Sequence, residues 1–332
     1  MQNVKLCFIG AGFHATTNIF PAVVAAGAEI GAVATRNIEN AASTLKQFGS
    51  GGTAYGDYHK MLAHEACDGV VVIAQPQDQL AIVLDCIAAG KNVYVEKPLG
   101  MNESDAKQAA RAAEQARVVL MVGFMKRYAP IYTQLAALVN ERTLGEVRSF
   151  QATFAVDSTP FCADDEAFLK LAAIHFVDLI RFLFGEVATV TGVANSRDNH
   201  ISQSLSVQFE NGIIGSIYFA GMTAWSRESE HITVTFDHGF AIAAEMNKLT
   251  VHPTLQQEQG QLPWQSLAEV DTVYTPSGTV MSGAYRDLYL RGYIGEIQHF
   301  MNCCKQGHSP SSSGRDNVHT MALCDQILSR LK

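Results

Sequence analysis

An apolar run, Val4 to Ile9, leads straight into Gly10-Ala11-Gly12-Phe13-His14-Ala15, and this junction constrains the fold more than any other feature of the chain. Two glycines one residue apart, with a small residue three positions later, specify a tight strand-to-helix turn. Gly10 permits the sharp bend, and Gly12 lets backbone N–H groups approach a pyrophosphate. Ala15 allows close packing beside a helix N-terminus that attracts anions. A bare G-x-G string has little specificity. Its place directly after an N-terminal strand, opening a βαβ unit, makes it the dinucleotide fingerprint and makes Gly10, Gly12, Phe13 and His14 candidate cofactor contacts.

The rest of the first 124 residues keeps the same rhythm. Strand-like runs at Val4–Ile9, Glu29–Thr35, Gly69–Ala74, Asn92–Val95 and Val118–Val122 alternate with helical patterns at Asn40–Phe48, Gln79–Ala89 and Glu103–Gln115. Strands joined by helical crossovers must be parallel, so residues 1–124 are expected to form a doubly wound α/β Rossmann domain. With 332 residues there is room for a second domain. It is expected over 125–314, as an α+β domain with a large, mostly antiparallel sheet that binds substrate and mediates oligomerisation. The final helix, 315–332, is expected to pack back on the first domain. The second domain's strand-like runs are Arg148–Val156, Val187–Ala194, Ser204–Glu210, Ile213–Phe219, Ile232–Phe236 and Ala241–Glu245, with turns at Asn211-Gly212 and His238-Gly239. Asp165–Phe184 reads as one long helix. Leu255–Gly283, rich in Gln, Pro, Gly and Ser, reads as an irregular excursion, followed by helical patterns at Tyr285–Cys304 and Asn317–Leu331.

Charge narrows the functional classes. The net charge of −8 and the absence of a basic stripe argue against nucleic acid as a partner, which requires clustered Lys and Arg. No apolar run reaches the roughly 18 residues of a membrane span, and Met1–Phe8 lacks the charged region and cleavage site of an export signal. The expected location is therefore cytoplasmic. The seven cysteines show no C-x-x-C spacing and read as reduced core thiols, and no metal site is expected. Asp164-Asp165-Glu166 reads as a helix N-terminus.

Candidate chemistry collects at the strand ends. The second strand closes on Thr35-Arg36 without the carboxylate that holds the ribose 2′-hydroxyl of NAD. Thr35 can donate a hydrogen bond and Arg36 can pair with a 2′-phosphate, which favours NADP while leaving NAD open, and leaves open that Arg36 is a solvated loop residue. Gln75-Pro76 and Glu96-Lys97-Pro98 end the next strands, at the sheet edge where open α/β proteins bind ligands. Lys97, fixed by the following proline, is the most pointed of these residues. Arg127 and Tyr128 either line a cleft or pin the domain junction. His175 alone on an apolar helix would be a core histidine, and Lys97 is what argues for a functional one.

The glycine turn, Glu96-Lys97-Pro98, the Arg127-Tyr128-x-Pro130 segment and His175-x-x-Asp178 on a helix ending Leu183-Phe184-Gly185 together resemble the glucose-fructose oxidoreductase, inositol dehydrogenase and MocA family over essentially the whole chain. The resemblance implies a nicotinamide-dependent dehydrogenase or ketoreductase acting on CH–OH groups of a sugar, polyol or related small molecule, assembled as a homo-oligomer, dimer or tetramer. It implies that Lys97 contacts the substrate oxygen and nicotinamide ribose and that His175 moves the hydroxyl proton, with Gln75, Pro76 and Glu96 near the cofactor and Arg127, Tyr128, Leu171 and Asp178 near the substrate.

The chain departs from that family at three positions. Leu171 stands four residues before His175, where relatives carry aspartate, and Ala173 stands where they carry glycine. Leu80 occupies the place where many relatives carry a histidine, in the turn after the run Gly69–Ala74. A leucine cannot orient a histidine or hold a hydroxyl, so the substrate pocket gains an apolar wall. The competing function is an NADP-binding sensor or regulatory protein that has lost its chemistry.

Overall fold

The computed structural model describes residues 4–254, 270–277 and 283–332. The described residues divide into two compact units, 4–128 with 283–325, and 129–254 with 270–277 and 326–332.

In the first unit, strands β1 (Lys5–Ile9), β2 (Glu29–Ala34), β3 (Thr53–Tyr55), β4 (Gly69–Val72), β5 (Val93–Glu96) and β6 (Leu120–Gly123) form a parallel sheet in the order β3-β2-β1-β4-β5-β6. That order reverses between β1 and β4, which makes their C-terminal ends the place where such sheets hold ligands. The strands are apolar because both faces are covered. All four residues of β4 and of β6 are buried, and each buried valine contributes about 1.5–3 kcal/mol. β3 was not anticipated: it is three residues long and too short to show a period.

Helices α2 (Ile38–Gln47), α3 (Tyr58–His64), α4 (Pro76–Ala88) and α5 (Glu103–Ala116) connect the strands, after a wide π turn at Ala15–Ile19 that continues as α1 (Phe20–Ala25). Their starts are set by side chains. Asn37, Asp57 and Asn102 accept the backbone N–H of Glu39, His59 and Asp105, and Pro76 opens α4.

The second unit is built on α6 (Pro130–Glu141), β7 (Val147–Val156), α7 (Asp165–Ala167), α8 (Ile174–Phe184), β8 (Val187–Ala194), β9 (Ile201–Phe209), β10 (Ile214–Gly221), β11 (Ser229–Phe236), β12 (Gly239–Ala244), β13 (Lys248–Pro253) and β14 (Thr272–Tyr274). Among the described residues the sheet order is β14-β13-β12-β11-β7-β10-β9-β8. β7 and β10 run parallel, and the other neighbours are antiparallel. α8 rides on the sheet through stacked aromatics, Phe150 on Phe184 at 4.4 Å and Phe154 on Phe176 at 5.6 Å between ring centres.

Three expectations change. The long helix at 165–184 is broken: α7 gives way to a π turn at Phe168–Ala172 before α8 begins, so Leu171 and His175 do not sit on one regular α-helical face. Part of the stretch 255–283 lies outside the described residues, and within it Thr272–Tyr274 is an edge strand paired with β13 rather than loop. The helical pattern 285–304 is split into α9 (Gly283–Leu290) and α10 (Tyr293–Gln306) at Gly292, whose φ of +93° no regular helix tolerates.

Residues 283–314, expected in the second domain, belong to the first unit. The reason is apolar packing: Phe300 of α10 lies against Tyr94 at 5.8 Å, and so close to Gly69 that a Cβ there would meet its ring at 2.8 Å. The last helix, α11 (Gly314–Arg330), is divided, with its first part packed on the first unit, where Asp325 accepts the Glu103 N–H, and Leu331 just beyond it bridged to Gly192 of β8.

Candidate cofactor and active site

Beyond β1, Gly10 adopts φ +100° and donates its N–H to Ala34 O at 2.9 Å, tying the turn to β2. A Cβ at Gly10 would lie 1.9 Å from the Ile73 carbonyl oxygen, so the fold itself demands this glycine. Gly12 is different: a Cβ there would meet nothing within 4 Å. The fold does not require a glycine at position 12, and the open space above its backbone is what a pyrophosphate would use. Phe13 is 86% exposed at the same turn. The residues present therefore fit a dinucleotide.

At the outer end of β2, Arg36 and Lys60 line a cavity of about 620 Å³ together with Asn37, Ile38, Ala54, Tyr55, Gly56 and Asp57. Asp57 is the carboxylate among them, and its Oδ1 already accepts the His59 N–H. Thr35 does not have a hydroxyl proton to spare for a ligand, because it donates to Asn37 O at 2.5 Å. Lys60 was not anticipated; it lies 24 residues beyond Arg36, and the pairing of β2 with β3 brings the segments together.

At the end of β5 a buried polar chain supports Lys97. The Tyr94 hydroxyl is 2.9 Å from Glu96 Oε1 and 2.8 Å from Glu296 Oε2, and it is held well above the usual phenol range by burial and by both carboxylates. His14 Nε2 lies 3.4 Å from Glu96 Oε1 without an aligned hydrogen bond, and Asn18 Nδ2 sits 3.1 Å from His14 Nδ1. A side chain at Gly123 would collide with this chain, 2.5 Å from the Tyr94 hydroxyl. The Lys97–Pro98 peptide is cis. On the opposite side, the buried Gln79 Nε2 donates to Glu96 O at 2.9 Å and Pro98 O at 2.8 Å. Gln75 is the exposed residue before α4, with Pro76 at its first turn and Leu80 half-buried behind.

Burial alone would raise the Glu96 carboxyl, but His14, the Lys97 charge and the Tyr94 hydroxyl outweigh it and hold it below the usual carboxylate range. A depressed folded value means the ionised group contributes stability above its unfolded value near ~4.3, and loses it as pH falls through the folded value. Melting curves between neutral pH and strong acid are expected to show a steeper acid loss for the parent than for Glu96→Gln. Parallel curves would refute the assignment.

Arg127 is buried and committed. Its guanidinium donates to Ser311 O at 2.7 Å and to Asp316 Oδ2, and it lies over the Phe124 ring, while the Tyr128 hydroxyl meets Ser311 Oγ at 2.8 Å. Both residues anchor the 311–316 segment within the first unit. In the second unit, Leu171, Ala172 and His175 are the half-exposed residues of the otherwise buried stretch 168–180, and Asp178 is fully buried on α8. Asp164 caps α7 by accepting the Ala167 N–H at 2.8 Å, and Asp165 receives Ser196 and Gln203. All seven cysteines carry free thiols. Among the described residues there is no cluster of three or more His, Cys, Asp or Glu able to hold a metal, and no helix long and apolar enough to cross a membrane.

Residues 4–124 match the model of an oxidoreductase family with an NAD-binding Rossmann fold, and residues 132–242 match the GFO/IDH/MocA C-terminal domain. A D-apiose dehydrogenase of Rhizobium rhizogenes is 26% identical over 337 residues, covering 98% of this chain and 94% of that one. A trans-1,2-dihydrobenzene-1,2-diol dehydrogenase of Xenopus laevis is 32% identical over 126 residues, so this chain spans only 38% of that relative's length. A dehydrogenase from Chromobacterium violaceum shares the fold, with a TM-score of 0.88, 20% identity, and coverage of 99% of this chain and 95% of that one.

Proposed function

The chain belongs to the GFO/IDH/MocA family of oxidoreductases, and from that premise we propose that it is an NADP-preferring dehydrogenase or ketoreductase of a sugar, polyol or related small molecule. The observation that carries the cofactor choice is the cavity beyond β2, which two cations, Arg36 and Lys60, line together with a single carboxylate, Asp57, one of whose oxygens caps α3. An arginine fork pairs with a phosphate monoester in bidentate fashion, whereas a free ribose hydroxyl gains little from two cations.

When bound, the nicotinamide ring supplies or accepts the hydride. The protein's residues do the rest. Lys97 stabilises charge on the reacting oxygen, and His175 holds or moves the hydroxyl proton. Glu96 faces the cofactor turn through His14, while Leu171 gives the substrate side an apolar wall and suits a substrate with fewer hydroxyls to satisfy than a fully hydroxylated cyclitol. The dehydrogenase names of the D-apiose and dihydrobenzenediol relatives fit that range.

Absorbance at the reduced-nicotinamide band, with NADP and NAD each run against a panel of sugars, keto-sugars and cyclic polyols, tests this reading. Turnover is expected with at least one member, and NADP is expected to bind about 10- to 100-fold more tightly than NAD, a phosphate contact of about 1.4–3 kcal/mol. Arg36→Asp should reverse the preference. Tight NADP binding with no turnover across the panel would favour the sensor instead, and equal affinities would remove the argument from Arg36.

A further inference from the structure

We infer that Gln79 is the positioning residue for Lys97, a carboxamide clamp that fixes the lysine's backbone from both sides. The inference rests on the reading of Lys97 as the residue that contacts the reacting oxygen.

Gln79 sits in the first turn of α4 and is only 1% exposed, on the same inward stripe as Val83, Cys86 and Ile87. An apolar residue is the ordinary occupant of such a position. Here a carboxamide spends both of its hydrogens on two carbonyls, Glu96 O at 2.9 Å and Pro98 O at 2.8 Å, which are the residues on either side of Lys97. Both acceptors are backbone carbonyls, so only the NH₂ end of the side chain can face them.

The other end is costly. Gln79 Oε1 is buried without a hydrogen-bond partner. A leucine or methionine would fill the stripe without bringing an unpaired acceptor of its own, but it would take away the donor that the Glu96 and Pro98 carbonyls use, so packing alone does not explain a glutamine. What explains it is the two bonds that its nitrogen makes. The Glu96 side chain is held in turn by Tyr94 and by His14, so the residue before Lys97 is fixed at both its carbonyl and its carboxylate. A lysine on a long flexible stem gains precision when its backbone cannot shift, and a misplacement of ~1 Å at a reacting group costs on the order of 100-fold in rate.

Gln79→Met keeps the volume and removes both donors, while Gln79→Glu has no donor when ionised and one when protonated. The readout that needs no substrate is reductive ¹³C-methylation of the lysines, with the Lys97 signal identified by its loss in Lys97→Arg. In Gln79→Met the Lys97 signal is expected to move while the other lysine signals and NADP affinity stay as in the parent. With a substrate from the panel, kcat should fall about 10- to 100-fold without a matching rise in KM for cofactor. Gln79→Glu should regain kcat as pH is lowered, relative to the parent at the same pH, because protonation restores one donor. A purely structural role would not produce that profile. A Lys97 signal in Gln79→Met that superimposes on the parent's, or a kcat within about twofold of it, overturns the clamp. If Gln79→Met does not fold, a flat relative pH profile for Gln79→Glu overturns it instead. Should Lys97→Ala itself turn over normally, the reading of Lys97 fails; Lys97→Ala inactive with Gln79→Met fully active rejects the clamp alone.

Discussion

Lys97→Ala is expected to lower kcat by about 10²–10⁴-fold while leaving the melting temperature close to the parent's and weakening NADP only a few-fold, through the one ribose contact it loses. The separation follows from where the residue sits. Lys97 is half-exposed, so truncating it opens no core cavity, and the backbone it leaves is still held by Gln79 and by the Glu96–Tyr94–Glu296 chain. The dinucleotide is expected to be held elsewhere, by the Gly12 turn and the Arg36–Lys60 cavity. What is lost is a cation beside an oxygen that gains negative charge during hydride transfer, an interaction stronger in the transition state than in the ground state. Single-turnover oxidation of NADPH, with a melting curve and an affinity measured on the same preparation, checks it. A rate within a few-fold of the parent would strip Lys97 of its role, whereas a matching loss of NADP affinity would make it a binding residue.

The parallel strands other than β3 were legible as apolar runs alternating with helical patterns, and Gly10-Ala11-Gly12 marked the end at which a ligand is expected. The supports of Lys97 were not legible in the same way. Glu296 reaches Tyr94 across 202 residues of sequence, and no local pattern connects them. Gln79 did leave a signal, a polar residue on the buried stripe of an amphipathic helix, and such a residue is a candidate for holding something across the interface it faces. The break at Phe168–Ala172 left none. Its sequence, Phe-Leu-Lys-Leu-Ala, holds no helix breaker, and the wide turn is decided by tertiary packing, with Phe168 set against Phe154 and Phe219 on the sheet. Leu171, four residues before His175, therefore falls in a segment whose side-chain spacing differs from a regular helix.

The two glycines of the fingerprint are expected to separate folding from binding when each receives a single methyl group. At Gly10 the methyl would sit 1.9 Å from the Ile73 carbonyl oxygen on a backbone at φ +100°, so Gly10→Ala must shift β4's end or abandon the turn. A loss of about 4 kcal/mol or more is expected, a large part of the 5–15 kcal/mol by which such domains are stable. At Gly12 the methyl meets no protein atom within 4 Å, so Gly12→Ala should melt within a few degrees of the parent, and reduced freedom in the unfolded chain would even favour it slightly. The same methyl lies where backbone N–H groups must approach a pyrophosphate, and NADP affinity is expected to fall about 100-fold or more, close to 3 kcal/mol. Thermal melting paired with calorimetric titration of NADP reads both quantities on each variant. Gly12→Ala binding NADP like the parent would mean that the open space at this turn is not the phosphate cradle, and the cofactor reading would then have to rest on Arg36 and Lys60 alone.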